Sequence, residues 1–152
     1  MPPLVDEGRW QTRKGTAVTQ VLPSGLLDLL GKASPCFVAT LMPDGSPQLT
    51  QTWVHTDGEH VVLNIVDGSQ KARNLARDPR IAINVVDPEE SSRFYAIRGR
   101  VAATTTEGSR EQIDEMSMKY LGIPYPSFTG NPNETRLTVV IDADRITPPH
   151  GQ

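Results

Sequence analysis

From His60 to Val66 the chain is mostly apolar and partly β-branched, which is the pattern of a buried strand. Asp67-Gly68 breaks the run as a turn pair, and Ser69 then stands where a helix N-cap belongs. The helix that follows is short, because Pro79 disfavours the helical conformation at Asp78. Upstream, Ser24 is expected to cap a short helix through Leu26, Leu27, Leu29 and Leu30, with Gly31 as its stop. Cys36–Met42 reads as a strand closed by the turn Pro43-Asp44-Gly45-Ser46. A second strand, Gln48–Thr56, alternates its side chains and passes through an Asp57-Gly58 hairpin into the His60–Val66 strand.

Downstream, Arg80–Val86 is a strand, residues 87–92 a polar loop, and Arg93 to about Thr106 a long strand bent or bulged at Gly99. Ser109–Leu121 predicts a helix with Ile113, Met116, Met118 and Leu121 as a partial apolar stripe. Ile123–Asn133 is rich in Pro, Gly and Asn and reads as a loop, and Thr135–Ile141 is the last strand. Residues 1–20 show no useful periodicity and are expected to form an arm ahead of a single domain over 21–152. Six closely spaced strands with hairpin turns and few helices predict a mainly β protein, an antiparallel barrel.

Length and composition narrow this picture. The 152 residues suit one domain, and 37% hydrophobic content makes a modest core that a second copy would help to bury. Net charge is −3, which argues against general affinity for nucleic acid. Lys and Arg nevertheless concentrate in residues 69–100, a zone suited to a small anionic ligand. The single Cys36 excludes an internal disulfide and suits a buried small hydrophobe. No stretch has the length of a membrane span, and the N-terminus lacks a signal-peptide core, so the expectation is a soluble, cytoplasmic protein.

The templates for hydrolysis and metal chemistry are missing. There is no H-E-x-x-H, no cysteine pair, no G-x-S-x-G and no phosphate-binding G-x-x-x-x-G-K, so no metal site is expected. What remains is the strand–turn–helix at residues 61–77. A capped helix start leaves backbone N–H groups free for an anion, and Lys71 and Arg73 add full charges. The strand Gln48-Leu49-Thr50-Gln51-Thr52-Trp53 is unusually polar for a barrel. Its polar groups suit the heteroatom edge of a planar ring, although Thr is also a good β-former on an exposed face. Trp53 suits either the flank of such a ring or the core.

Four motifs stand in order: Pro43-Asp44-Gly45-Ser46-Pro47-Gln48, Asp57-Gly58, Gly68-Ser69-Gln70-Lys71-Ala72-Arg73-Asn74-Leu75-Ala76-Arg77-Asp78-Pro79-Arg80, and Ile97-Arg98-Gly99-Arg100-Val101. Over residues 24–147 they resemble the pyridoxamine-phosphate-oxidase-like split-barrel superfamily, more narrowly its actinobacterial branch that uses the deazaflavin coenzyme F420. The resemblance implies a six-stranded split barrel, a homodimer, and two cofactor sites at the subunit interface. It implies that Ser69, Gln70 and Lys71 grip the cofactor phosphate, with Asn74 beside them. It further implies that Gln48, Thr50, Gln51 and Thr52, with Asn64 and Ile65 on the neighbouring strand, line the ring system. Arg93 and Tyr95 would reach the site from the second subunit, and Tyr95 or water would supply a proton. FMN-binding relatives commonly carry an Arg where this chain has Gln70. The implied activity is hydride transfer from reduced F420 to a small conjugated, electron-poor acceptor. The alternatives are an FMN-dependent oxidase or reductase of the same fold, or a non-enzymatic flavin- or tetrapyrrole-binding protein.

Overall fold

Alternation dictates the first hairpin. In the computed structural model, which describes residues 19–150, Cys36, Val38 and Thr40 of β1 (Cys36–Leu41) turn inward and are buried. The neighbours Phe37, Ala39 and Leu41 face the other side of the sheet. Asp44 ties the following turn together, its carboxylate accepting from the Ser46 N–H at 2.9 Å and from the Ser46 hydroxyl at 2.5 Å. The chain returns as β2 (Pro47–Thr52) with Thr52 opposite Cys36, Thr50 opposite Val38 and Gln48 opposite Thr40.

The remaining strands are β3 (His55–Thr56), β4 (Val61–Val66), β5 (Arg80–Val86), β6 (Phe94–Thr105) and β7 (Arg136–Thr147). All pair antiparallel in one curled sheet, ordered β2-β1-β5-β6-β7-β4-β3. The sequence predicts six strands and the structure has seven, because the expected Gln48–Thr56 strand is broken at Trp53-Val54. The last strand is also longer than its apolar pattern suggests. It runs on to Thr147 through Asp142 and Asp144, which lie against the buried Arg100 of β6 and so can sit in a paired strand. Gly99 marks a shift of register between β6 and β7, as its place in a long strand implies.

Three helices complete the domain: α1 (Ser24–Leu30), α2 (Gln70–Arg77) and α3 (Ser109–Leu121). The cap of α1 is Pro23, with no side-chain cap bond, and Ser24 is already the first helical residue. Leu26, Leu29 and Leu30 of α1 are fully buried with Leu63, Leu75, Ile97, Leu137 and Ile141 in the core inside the curl. Each such side chain contributes on the order of 1.5–3 kcal/mol of burial. The apolar stripe of α3 is narrower than expected. Ile113 and Met116 are buried beside Ser109 and Ser117, whereas Met118 and Leu121 are 53% and 47% exposed. The expected arm lies outside the described residues except for its last two, and Gln20 donates its N–H to the Ala143 carbonyl at 2.7 Å.

Candidate cofactor and substrate site

The start of α2 forms as its sequence requires. Gly68 adopts φ +82°, a left-handed conformation natural to glycine, and Ser69 caps the helix by accepting from the Ala72 N–H at 3.3 Å. The helix ends at Asp78, which is extended ahead of Pro79. Lys71 is half-buried and makes no hydrogen bond or ion pair among the described residues. Burial lowers its pKa, as does the nearby charge of Arg136, while the Cys36 thiol acts in the opposite sense. Cys36 itself is pushed up to about 12, mainly by burial, and is no nucleophile at neutral pH.

Gln70 and Asn74 are stitched into one network. Gln70 donates to Asn74 Oδ1 at 2.9 Å and accepts from Arg73 at 2.6 Å. The Asn74 amide donates in turn to Thr40 Oγ1 at 3.0 Å and to Gln48 Oε1 at 3.3 Å. Gln48 therefore ties the start of β2 to α2. Strand alternation places Gln48, Thr50 and Thr52 in one row on the inner side of β2, with Gln51 exposed on the other. Within that row the Thr50 hydroxyl is shielded from solvent and has no hydrogen-bond partner. A buried hydroxyl without a partner is costly, and a ligand heteroatom above the row would satisfy it.

Beyond Thr52 the strand breaks, and the break makes a pocket. The N–H of Val54 donates to the Tyr120 hydroxyl at 3.1 Å, and the Val54 carbonyl accepts from Lys119 Nζ at 2.7 Å. Tyr120 also donates to the Ser34 carbonyl at 2.6 Å, and Lys119 to the Leu30 carbonyl at 2.8 Å. The last turn of α3 thus takes over main-chain groups that a continuous strand would have paired in the sheet. Burial lowers Lys119 to about 8 and raises the Tyr120 hydroxyl well above its ordinary value.

The pocket has a volume of about 470 Å³, within the range of small-molecule sites. Gln51, Thr52 and Trp53 form one side, with Ala33 and Pro35 beside them. Tyr120, Tyr125 and Phe128 form an aromatic wall, and Asn64, Ile113 and Arg136 complete the lining. Trp53 stacks on Tyr120 with centroids 5.1 Å apart and planes 11° from parallel, while Tyr125 and Phe128 meet Trp53 edge-on. The chain has only two tryptophans, three tyrosines and three phenylalanines, so half of its aromatic residues meet here.

The structure separates the expected site residues into groups. Ser69, Gln70, Lys71, Asn74 and Gln48 gather at the start of α2, and the Thr50–Thr52 row leads from there to the pocket. Asn64 lines the pocket, but its amide is fully engaged, donating to the Ser109 carbonyl and Gln112 and accepting from Arg136. Ile65, next along β4, points into the core. Arg93 lies 3.9 Å from Asp87, away from the pocket of its own chain. Tyr95 is only 2% exposed and belongs to the core, its hydroxyl packed against Gly25. The sequence reading leaves Tyr120, Tyr125, Phe128 and Arg136 unassigned. The nearest signal is the clustering of three of these aromatics in residues 120–128, within a Pro-rich stretch.

A curled antiparallel sheet, with a Ser-capped helix start at one place and a ring-sized pocket at another, defines a split barrel. The chain belongs to the pyridoxamine 5'-phosphate oxidase family, whose model matches residues 23–148. Among solved structures it is similar to an F420 reductase, at 26% identity over 83% of this chain and 98% of that one, with a TM-score of 0.70. A conserved hypothetical protein from Mycobacterium tuberculosis is 26% identical over 84% of both chains, with a TM-score of 0.58. A pyridoxamine 5'-phosphate oxidase named as putative, from Listeria innocua, shares the fold at 16% identity, covering 82% of this chain and 94% of that one, with a TM-score of 0.62.

Proposed function

We propose that this protein is an oxidoreductase that uses reduced F420 to deliver a hydride to a small conjugated, electron-poor acceptor. The observation that carries the reading is the unpartnered Thr50 hydroxyl on a polar row that meets α2 through Gln48 and Asn74 and ends at an aromatic pocket. Similarity to an F420 reductase over almost all of that chain supports the choice of cofactor. The residues fit a phosphorylated planar ring. Lys71 and the first N–H groups of α2 would hold the phosphate, and Thr50 and Thr52 would face the ring edge.

Bound F420 supplies the hydride. The chain's part is positioning and exclusion of water. Trp53, stacked on Tyr120, offers a π-surface for a planar acceptor, and Phe128 and Tyr125 close its edge. The reading includes a homodimer in the cytoplasm, with Arg93 reaching the partner's cofactor and small-molecule acceptors as the other partners. An open sheet face gives such a dimer its surface. Leu49, 71% exposed, stands opposite Ala39, and Ala39 stands opposite Ala82.

The rival is FMN in the same site, favoured by the description of the matching family. Absorbance titration with F420 and with FMN decides between them. Micromolar or tighter binding of F420 with weak binding of FMN supports the proposal, and the reverse order sinks it.

A further inference from the structure

We propose that Glu134 sets the charge preference of the aromatic pocket. By closing Arg136 in an ion pair it reserves the pocket for uncharged planar ligands, and neutralising it opens the pocket to ligands that carry a carboxylate. This deepens the function proposed above, because it takes the same pocket as the seat of the acceptor.

Arg136 is the only charged side chain lining the pocket among the described residues, and four of the five N–H donors of its guanidinium are engaged. Nε donates to Asn64 Oδ1 at 2.8 Å and Nη2 to the Asn64 carbonyl at 3.0 Å. Nη1 donates to Glu134 Oε1 at 3.0 Å and to the Tyr125 hydroxyl at 3.3 Å. The Glu134 and Arg136 side chains are 3% and 7% exposed, so the pair is buried. The second Glu134 oxygen accepts from the Thr129 hydroxyl. Burial pushes the Glu134 carboxyl up, but Thr129, Arg136 and Tyr125 together outweigh that and hold it below its ordinary value.

A carboxylate entering this pocket meets a guanidinium whose charge is already balanced by Glu134 and whose donors are nearly all taken. It must displace Glu134 or lie desolvated beside it, and either course is unfavourable. An uncharged ring meets aromatic and aliphatic faces and side chains that carry no net charge, apart from the paired Arg136. Arg110 and Lys119, which lie over the rings of Tyr125 and Tyr120, do not line the pocket. Glu134→Gln keeps the shape and one acceptor oxygen while leaving the charge of Arg136 uncompensated.

The test uses cofactor-free protein carrying Trp10→Phe, so that Trp53 reports alone, titrated with 2-naphthoate and with its methyl ester. The parent should bind the ester at least tenfold more tightly. Glu134→Gln should reduce that ratio at least tenfold, mainly by tightening naphthoate, and Glu134→Gln with Arg136→Gln should restore it. Arg136→Gln alone, which leaves the acid unpaired, should raise the ester preference and serves if Glu134→Gln does not fold by circular dichroism. Equal binding of the two ligands by the parent, an unchanged ratio in Glu134→Gln, or no quenching of Trp53 by either ligand overturns the proposal. A failed F420 titration with the ligand ratios as expected removes the cofactor assignment and leaves this one standing.

Discussion

Lys119 donates its ammonium to the carbonyl of Val54 at 2.7 Å, joining the end of α3 to the point where β2 gives way to β3. The same ammonium holds the Leu30 carbonyl at the end of α1. Lys119→Met keeps most of the alkyl stem but leaves both acceptors without this donor. It should cost roughly 1–3 kcal/mol in urea unfolding. A loss below a few tenths of that range would show that water replaces the ammonium freely.

The same contact predicts a pH dependence. Lys119 titrates at about 8 in the folded chain, lowered by burial from an ordinary value of 10.5. Between those values the unfolded chain holds the proton and the folded chain has released it. Stability from this group therefore rises with pH across that window and is lowest below it. Unfolding curves from pH 7 to 10 should show the rise in the parent and a flatter profile in Lys119→Met.

Lys71→Ala tests the anion grip at the start of α2. Loss of one charged hydrogen bond should weaken F420 binding by roughly 1.5–3 kcal/mol, with the melting temperature little changed. Unaltered affinity in the absorbance titration would remove the phosphate from this helix.

Arg93→Ala tests whether the site is shared between subunits. Arg93 lies outside the pocket of its own chain, so its loss affects the cofactor only through a second copy. Weaker F420 binding, together with a dimer in sedimentation equilibrium, is the expected pair of results. A monomer that binds F420 normally would rule the arrangement out.

Gly99→Ala tests the bulge. A Cβ there would press into the main-chain oxygen of Asp142 on β7, where neither strand is free to give way. The variant should lose about 1–3 kcal/mol, read from the shift of the denaturation midpoint.

Much of this architecture is local chemistry and is legible in the residues. The bounds of β5, the end of β4, the Ser69 cap and the stop before Pro79 follow from alternation, capping and proline geometry. The elements that differ depend on partners far along the chain. Nothing in Gln48–Thr56 announces a break, because the groups that stabilise it, Lys119 and Tyr120, come more than sixty residues later. Asp142 and Asp144 look like the end of a strand until Arg100 is placed beside them.

The candidate site divides along the same line. Its capped, basic helix start is one contiguous stretch and could be found by reading residues 67–74. Its aromatic wall joins Trp53 to three residues of the 120–128 segment, and its charged floor pairs Arg136 with Asn64 across two strands. Periodicity within either segment says nothing about that meeting.

The broken strand makes the pocket a competitor of the sheet. Gln48–Thr56 has the alternation of an uninterrupted strand, and α3 keeps it open by supplying Val54 with substitute partners. The aromatic chamber therefore exists only while the end of α3 is docked. Undocking that last turn would strip both main-chain groups of Val54 of their partners and remove Tyr120 from the wall at once.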